Sequence, residues 1–194
     1  MNRAADIAVA GGALLVTLPV LGLAALAIKL EDGGPVLYRQ TRVGEDGVDF
    51  ELLKLRTMVV GAETMGAGLA VNRGDSRITR TGRVLRKLSL DELPQLWNVV
   101  RGEMSVIGPR PTLRYQVEQY DERQRRRLDV KPGITGWAQI NGRAALPWAD
   151  RIELDVWYVE NRSPRLDLQI LVRTPLALFR GTYKGETGGW KPAP

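Results

Sequence analysis

The chain has no histidine and no cysteine among its 194 residues, so any chemistry falls to carboxylates, ammonium and guanidinium groups, and hydroxyls. Ser-His-Asp and thiolate mechanisms are excluded, as are disulfides, iron–sulfur clusters and the usual zinc site. Any metal has to be a hard cation on oxygen ligands. Within that inventory, Ser89-Leu90-Asp91-Glu92-Leu93-Pro94 sets two acids side by side. Ser89 and Glu92 have capping-box spacing and Pro94 suits a first turn, so the stretch predicts a helix start with Leu93, Leu96, Trp97 and Val100 packing behind. Acids are ordinary there, because they meet the positive end of the helix dipole. Basic residues are plentiful: Lys54 and Arg56 end one segment, Arg110 sits between two prolines, and Arg73, Arg77, Arg80, Arg83, Arg86 and Lys87 form a run. Such a run reads first as a solvated face. The balance of 28 Lys plus Arg against 22 Asp plus Glu, net +6, predicts an anionic partner: a nucleotide, a phosphate, an acidic membrane face or nucleic acid.

The elements that must hold these groups follow from periodicity and turn residues. Residues 7–28 carry no charge, and Thr17, Pro19 and three glycines interrupt the aliphatics. As a helix this run is about 33 Å long, close to the hydrocarbon thickness. Three readings fit it: a straight transmembrane span, a re-entrant helix kinked at Pro19, and a signal peptide cleaved near Ala25-Leu26-Ala27. Arg3 and Lys29 place positive charge near both ends, which fits the re-entrant form, and the run exceeds the apolar core of an ordinary signal. Gly33-Gly34-Pro35 breaks the chain. Residues 36–42 and 48–56 then predict a hairpin joined by Gly44-Glu45-Asp46-Gly47. On the second strand Val48, Phe50, Leu52, Lys54 and Arg56 share a face. Residues 61–74 predict a mobile glycine-rich loop. Helices are expected over 112–127, over 147–161 and from Ser163-Pro164, with Pro175 kinking or ending the last. Residues 137–143 read as a short extended segment. Asp155 lies in the apolar stripe of the 147–161 helix and therefore needs a partner.

Taken in order, the motifs resemble one family, the bacterial sugar transferases, or small monotopic phosphoglycosyl transferases. The matching segments begin with Gly34-Pro35-Val36-Leu37-Tyr38-Arg39-Gln40 with Arg42 and Gly44, and Lys54-Leu55-Arg56-Thr57-Met58. Residues 83–94, Gly102-Glu103-Met104-Ser105 and Gly108-Pro109-Arg110-Pro111 follow. The longest is Lys131-Pro132-Gly133-Ile134-Thr135-Gly136-Trp137-Ala138-Gln139-Ile140-Asn141-Gly142-Arg143, and Glu153-Leu154-Asp155-Val156-Trp157-Tyr158 and Leu166-Asp167-Leu168 complete the set. With the apolar run, the resemblance extends to about Lys184. Two departures stand out: Leu18-Pro19 where the family often has Ser-Pro, and Leu55 where Phe is frequent.

The resemblance implies an α+β, mostly helical fold. Residues 1–30 would form a re-entrant membrane helix, 31–184 a small cytoplasmic catalytic domain with a short β-hairpin, and 185–194 a tail. It places the protein at the bacterial inner membrane, facing the cytoplasm. It also implies a reaction: a sugar 1-phosphate passes from a UDP-sugar to polyprenyl phosphate, releasing UMP, through a covalent phospho-sugar aspartate and with Mg2+. Asp91 would be the nucleophile and Glu92 a metal ligand or proton acceptor, with Asp167 a distant partner in metal binding. Fixed cations are needed where charge builds on phosphoryl oxygens, and Lys54, Arg86, Arg110 and Arg143, then Arg56 and Lys131, are the substrate-binding candidates. Partners would be the UDP-sugar, polyprenyl phosphate and membrane lipids. The alternatives are a sugar-only transferase releasing UDP and a non-catalytic basic membrane adaptor. No motif for reading nucleic acid accompanies the arginines, so none is expected as a partner. The sequence leaves open which sugar moves and whether the chain forms a homodimer.

Overall fold

The computed structural model describes residues 1–66, 68, 71, 74–142 and 146–179. The expected site residue Arg143 and the tail expected over 185–194 lie outside that set. Helices dominate, as the sequence predicts. The first, α1 (Arg3–Asp32), runs without interruption through Pro19. Asn2 caps it by accepting from the Ala5 N–H at 2.9 Å, and Gly33, at φ 69°, ends it in the left-handed region that suits glycine.

One stripe of α1 packs on the rest of the chain: Asp6, Ala10, Ala24 and Ile28 are buried. Ala10 joins the main core, while Ala24 and Ile28 meet Leu55 and Leu85 in a second cluster. Leu15, Val16, Leu23 and Leu30 are exposed. Both ends are bonded to the same body. Near the start, Arg3 donates to the carbonyls of Val99 and Val100, and Asp6 accepts from Ser105 Oγ at 2.8 Å and the Val106 N–H at 2.9 Å. At the far end Glu31 accepts from the N–H groups of Arg80 and Thr81 at 2.7 and 2.9 Å, and Asp32 pairs with Arg56.

The hairpin forms as its turn residues predict. β1 (Leu37–Val43) runs antiparallel to β2 (Asp49–Leu55), with Tyr38 opposite Lys54 and Arg42 opposite Phe50. α2 (Arg80–Lys87) follows, its N-cap Thr79 accepting from the Gly82 N–H at 2.9 Å. Next come α3 (Gln95–Arg101) and β3 (Ser105–Ile107), which pairs in parallel with β4 (Gly133–Thr135). The single helix expected over 112–127 is instead α4 (Arg114–Val117), α5 (Glu122–Arg125) and a 3-10 turn, Arg126–Leu128. Asp121 and Gln124 explain the break. They form a capping box, Asp121 accepting from the Gln124 N–H at 2.7 Å, which starts a new helix inside the polar run.

Residues 137–143, expected as extended, open with a short helix, α6 (Trp137–Ile140). Trp137 stacks on Trp157 at 5.0 Å between ring centroids, which anchors α6 to α7 (Trp148–Glu160). α8 (Pro164–Phe179) continues through Pro175. The main core gathers Val99 and Met104 with Ile107, Tyr158 and Ile170, under α1 and between α3, α7 and α8.

Candidate active site

The two adjacent acids sit on a tighter backbone than the capping-box reading predicts. α2 ends at Lys87, and Ser89, at φ 55°, reverses the chain into a 3-10 turn, Leu90–Glu92. A serine in the left-handed region is strained, a feature that gathers at functional sites. Ser89 makes no side-chain cap bond, and α3 starts only at Gln95, after Pro94. Proline lacks an N–H, and the Leu93 N–H reaches back to the Leu90 carbonyl at 3.2 Å in a three-residue step. Asp91 and Glu92 therefore precede the helix and stand on the turn itself.

That turn forms one wall of a cleft of about 1290 Å³, lined also by Lys54 of β2, Arg42 of β1, Arg86 of α2 and Arg110. Lys54 Nζ lies 3.2 Å from Glu92 Oε1, and Arg110 pairs with the same oxygen. Burial pushes the Glu92 carboxyl up, but Arg110 and Lys54 together outweigh it and hold the group well below the usual carboxylate range. Burial pulls the Lys54 ammonium down, with Glu92 opposing. Asp91 differs from its neighbour. Among the described residues its carboxylate makes no hydrogen bond and no ion pair. Burial, and then the charge of Glu92, push it above its ordinary value.

The scaffold that fixes this arrangement comes from three places. Asn98, fully buried on α3, accepts from the Leu53 N–H at 3.1 Å and donates to the Glu51 carbonyl at 2.7 Å, locking the acid-bearing segment to the strand that carries Lys54. The Arg110 loop is stitched to β4 through the Gly108 N–H, which donates to the Thr135 carbonyl at 2.9 Å. Only glycine permits that approach: a Cβ at Gly108 would lie 2.3 Å from the Lys131 carbonyl oxygen, and one at Gly133 would lie 2.0 Å from the Gly108 nitrogen. Finally, Asp155 has the partner its position requires. Arg127 lies 2.6 Å away, and its other contact from the same nitrogen is the Arg110 carbonyl at 2.9 Å.

Of the other expected site residues, Arg86 lines the cleft and donates to Thr57 Oγ1 at 2.7 Å. Arg56 also reaches the cleft, but its guanidinium is held by Asp32 and the Pro35 carbonyl. Lys131 and Asp167 do not line it. Asp167 instead accepts from Tyr158 Oη at 2.8 Å and pairs with the Met1 amino nitrogen at 2.8 Å. Asp91, Glu92 and Asp167 are thus not brought together, and among the described residues no three acidic side chains converge as a ligand set. A hard cation would rest on the Asp91 and Glu92 oxygens, with phosphate and water completing the shell, which is how Mg2+ commonly sits.

Three cleft residues escape a reading of the sequence for roles. Arg42, held by Gln40 Oε1 at 2.6 Å, has no carboxylate partner among the described residues. Burial and the nearby Arg110 pull it down to about 10. Arg151 donates to the Leu146 carbonyl at 2.9 Å and lies 5.6 Å from the Trp148 ring centroid. Gln139 lines the cleft from α6. Arg42 and Gln139 fall inside the motifs noted above, which was the available signal; their facing into one cleft depends on contacts distant in sequence.

The family model of the bacterial sugar transferases matches residues 1–181. The chain is 47% identical over 174 residues to the sugar transferase EpsL of Bacillus subtilis, covering 90% of this chain and 85% of that one. It is 41% identical over 198 residues to the exopolysaccharide production protein ExoY of Rhizobium meliloti, covering 94% and 88%. A third relative is the UDP-glucose:undecaprenyl-phosphate glucose-1-phosphate transferase of Caulobacter vibrioides, 45% identical over 181 residues, covering 88% and 67%. With a family match along nearly its whole length and relatives that it covers for most of theirs, the chain belongs to the bacterial sugar transferases.

Proposed function

We propose that this protein moves a sugar 1-phosphate from a UDP-sugar to polyprenyl phosphate, releasing UMP, and that Asp91 is the nucleophile. One observation carries the assignment: Asp91 is the buried cleft carboxylate left without an ion pair among the described residues, while its neighbour Glu92 is tied to Lys54 and Arg110 and Glu63, also without an ion pair there, is exposed. A relative that acts as a UDP-glucose:undecaprenyl-phosphate glucose-1-phosphate transferase supports the substrate class. In the first step an Asp91 oxygen bonds to the phosphorus that bears the sugar, and the bond to the bridging oxygen breaks, its electron pair leaving with UMP. In the second, an oxygen of polyprenyl phosphate attacks the same phosphorus and frees Asp91. A covalent intermediate divides one hard transfer into two easier ones.

Glu92 serves this chemistry as an anchor. A carboxylate held so far down accepts protons poorly, whereas it fixes Lys54 and Arg110 where phosphoryl charge develops. Arg42 adds positive charge that no carboxylate pairs with among the described residues. Mg2+, held by Asp91 and Glu92, would supply further charge to the diphosphate oxygens. The test is nucleotide release from UDP-sugar with polyprenyl phosphate and Mg2+. The expected product is UMP, and Asp91→Asn lowers turnover by about 10³-fold or more with the thermal melting point retained. UDP as the sole nucleotide product, or substantial activity in that variant, overturns the assignment.

We further propose that α1 enters the bacterial inner membrane and returns to the side it came from, with the cleft facing the cytoplasm, where nucleotide sugars are made. Two features support this: both ends of α1 are bonded to one body, and its outward residues are apolar, Val16 and Leu30 each 78% exposed. A helix so tied cannot leave its ends on opposite sides of a bilayer unless those bonds break. Cysteines introduced at Ala4 and at Gly33, in a chain without others, should both react with an impermeant reagent only from the cytoplasmic side. Labelling of one end from the opposite side contradicts the proposal.

A further inference from the structure

Gln139 is the cleft's most conspicuous unused polar group. It is 8% exposed, it lines the cleft, and among the described residues neither its Nε2 nor its Oε1 finds a hydrogen-bond partner. A buried carboxamide with both ends unsatisfied is costly, and native structures rarely keep one without a use. The backbone below makes room for it. At Gly136 an added Cβ would lie 2.8 Å from Gln139 Oε1 and 2.2 Å from the Gly108 carbonyl oxygen. The same glycine therefore admits both the amide and the Arg110 loop.

A nucleoside diphosphate sugar has an anionic middle and two uncharged polar ends. Lys54, Arg110 and Arg42 suit the middle. The primary amide suits something else: a flat group offering one acceptor and one donor side by side. The lactam edge of uracil, an N–H beside a C=O, matches it with two parallel hydrogen bonds, the same logic by which Gln reads a base edge in nucleic acid. Hexose hydroxyls match less well, because adjacent ones diverge from a common plane. Ala138 and Ile134, which also line the cleft, provide apolar surface for the face of a ring.

We propose that the Gln139 carboxamide reads the nucleobase of the donor, its Oε1 accepting from uracil N3–H and its Nε2 donating to the adjacent carbonyl. This rests on the UDP-sugar reading above. UMP, which carries the base and no hexose, is the probe, and its binding is measured by calorimetry on the full chain in detergent. The wild-type protein should bind UMP at least about 10-fold more tightly than N3-methyl-UMP, as two neutral hydrogen bonds predict. Gln139→Ala should weaken UMP by a similar factor and lose most of the discrimination. The wild-type comparison needs no folded variant. If UMP binds and the methyl group makes no difference, the nucleobase assignment is wrong and the UDP-sugar reading stands. If Gln139→Ala weakens UDP-hexose while UMP binding is unchanged, Gln139 reads the sugar and the assignment is also wrong. Failure of wild-type protein to bind either UMP or UDP-sugar would instead count against the proposed function itself.

Discussion

Of the carboxylates that pair with arginine, Glu92 and Asp155 are held in opposite ways. Glu92, on the cleft wall, has two cations on one oxygen, Lys54 and Arg110, and the Arg110 side chain is 51% exposed. Asp155 has one, Arg127, in a pair whose side chains are 3% and 4% exposed. Burial pushes both carboxyls up. At Glu92 the two cations win, and the group stays far below the ordinary range. At Asp155 burial wins against Arg127, its bonded partner, and the charges of Arg110 and Arg151, and the carboxyl is pushed up to about 6. The two acids differ in how many cations are bonded directly to the carboxylate, two at Glu92 and one at Asp155. The cleft pair is an open electrostatic fixture that a diphosphate can join; the interior pair is a brace behind the Arg110 loop.

The sharpest way to separate brace from fixture is to remove each arginine. Arg127→Met leaves Asp155 buried and alone, and should cost about 3–5 kcal/mol of stability, read as a large drop in the thermal midpoint. The double variant Arg127→Met with Asp155→Leu should recover much of that loss. A small loss in the single variant would show that the pair contributes little. Arg110→Met should do the reverse. It should lower the turnover rate by about 10²-fold, the size expected for a donor to transition-state charge, while the thermal midpoint moves little, since the side chain is half exposed. Equal losses of stability in both variants would erase the distinction.

Asn98 joins the two functions, because it ties the acid-bearing segment to the strand of Lys54. Asn98→Ala leaves the Leu53 N–H and the Glu51 carbonyl without their partner and should cost about 1–3 kcal/mol, measured by denaturant unfolding. The smallest effect is a slope. The Asp155 carboxyl in the fold, at about 6, lies above its ordinary value of 3.8, so folding favours the protonated form. Its contribution to stability is complete below 3.8 and is lost as pH rises through 6. Relative to Asp155→Asn, wild-type stability should therefore fall between those values and level off above them. A difference independent of pH contradicts the shift.

The contrast also shows what could be read before the fold was known. The hairpin was legible because Gly44-Glu45-Asp46-Gly47 and a period of two are local signals, and α7 was legible from its apolar spacing. The acid pair stood out as part of a motif, but its backbone did not. Ser89 and Glu92 imitate a capping box, and only the reversal at Ser89, with Pro94 delaying α3, shows the turn. The polar stretch over 112–127 hid a local signal of its own, since Asp121 and Gln124 restart the helix within it. Asp155's need for a partner followed from its place in an apolar stripe, whereas Arg127 as that partner is a matter of packing between the 3-10 turn Arg126–Leu128 and α7, the two residues lying 28 positions apart. The resemblance implied Asp167 as a distant partner in metal binding, and in the fold it is engaged with Tyr158 and the Met1 amino group.

The central claim is that Asp91 itself carries the phospho-sugar. The direct measurement is mass spectrometry of the protein after incubation with UDP-sugar and Mg2+ and no polyprenyl phosphate. The account predicts a hexose-phosphate adduct on the peptide containing Asp91, UMP released in stoichiometric amount, and neither result in Asp91→Asn. An unmodified protein that releases UMP only when polyprenyl phosphate is also present would contradict it.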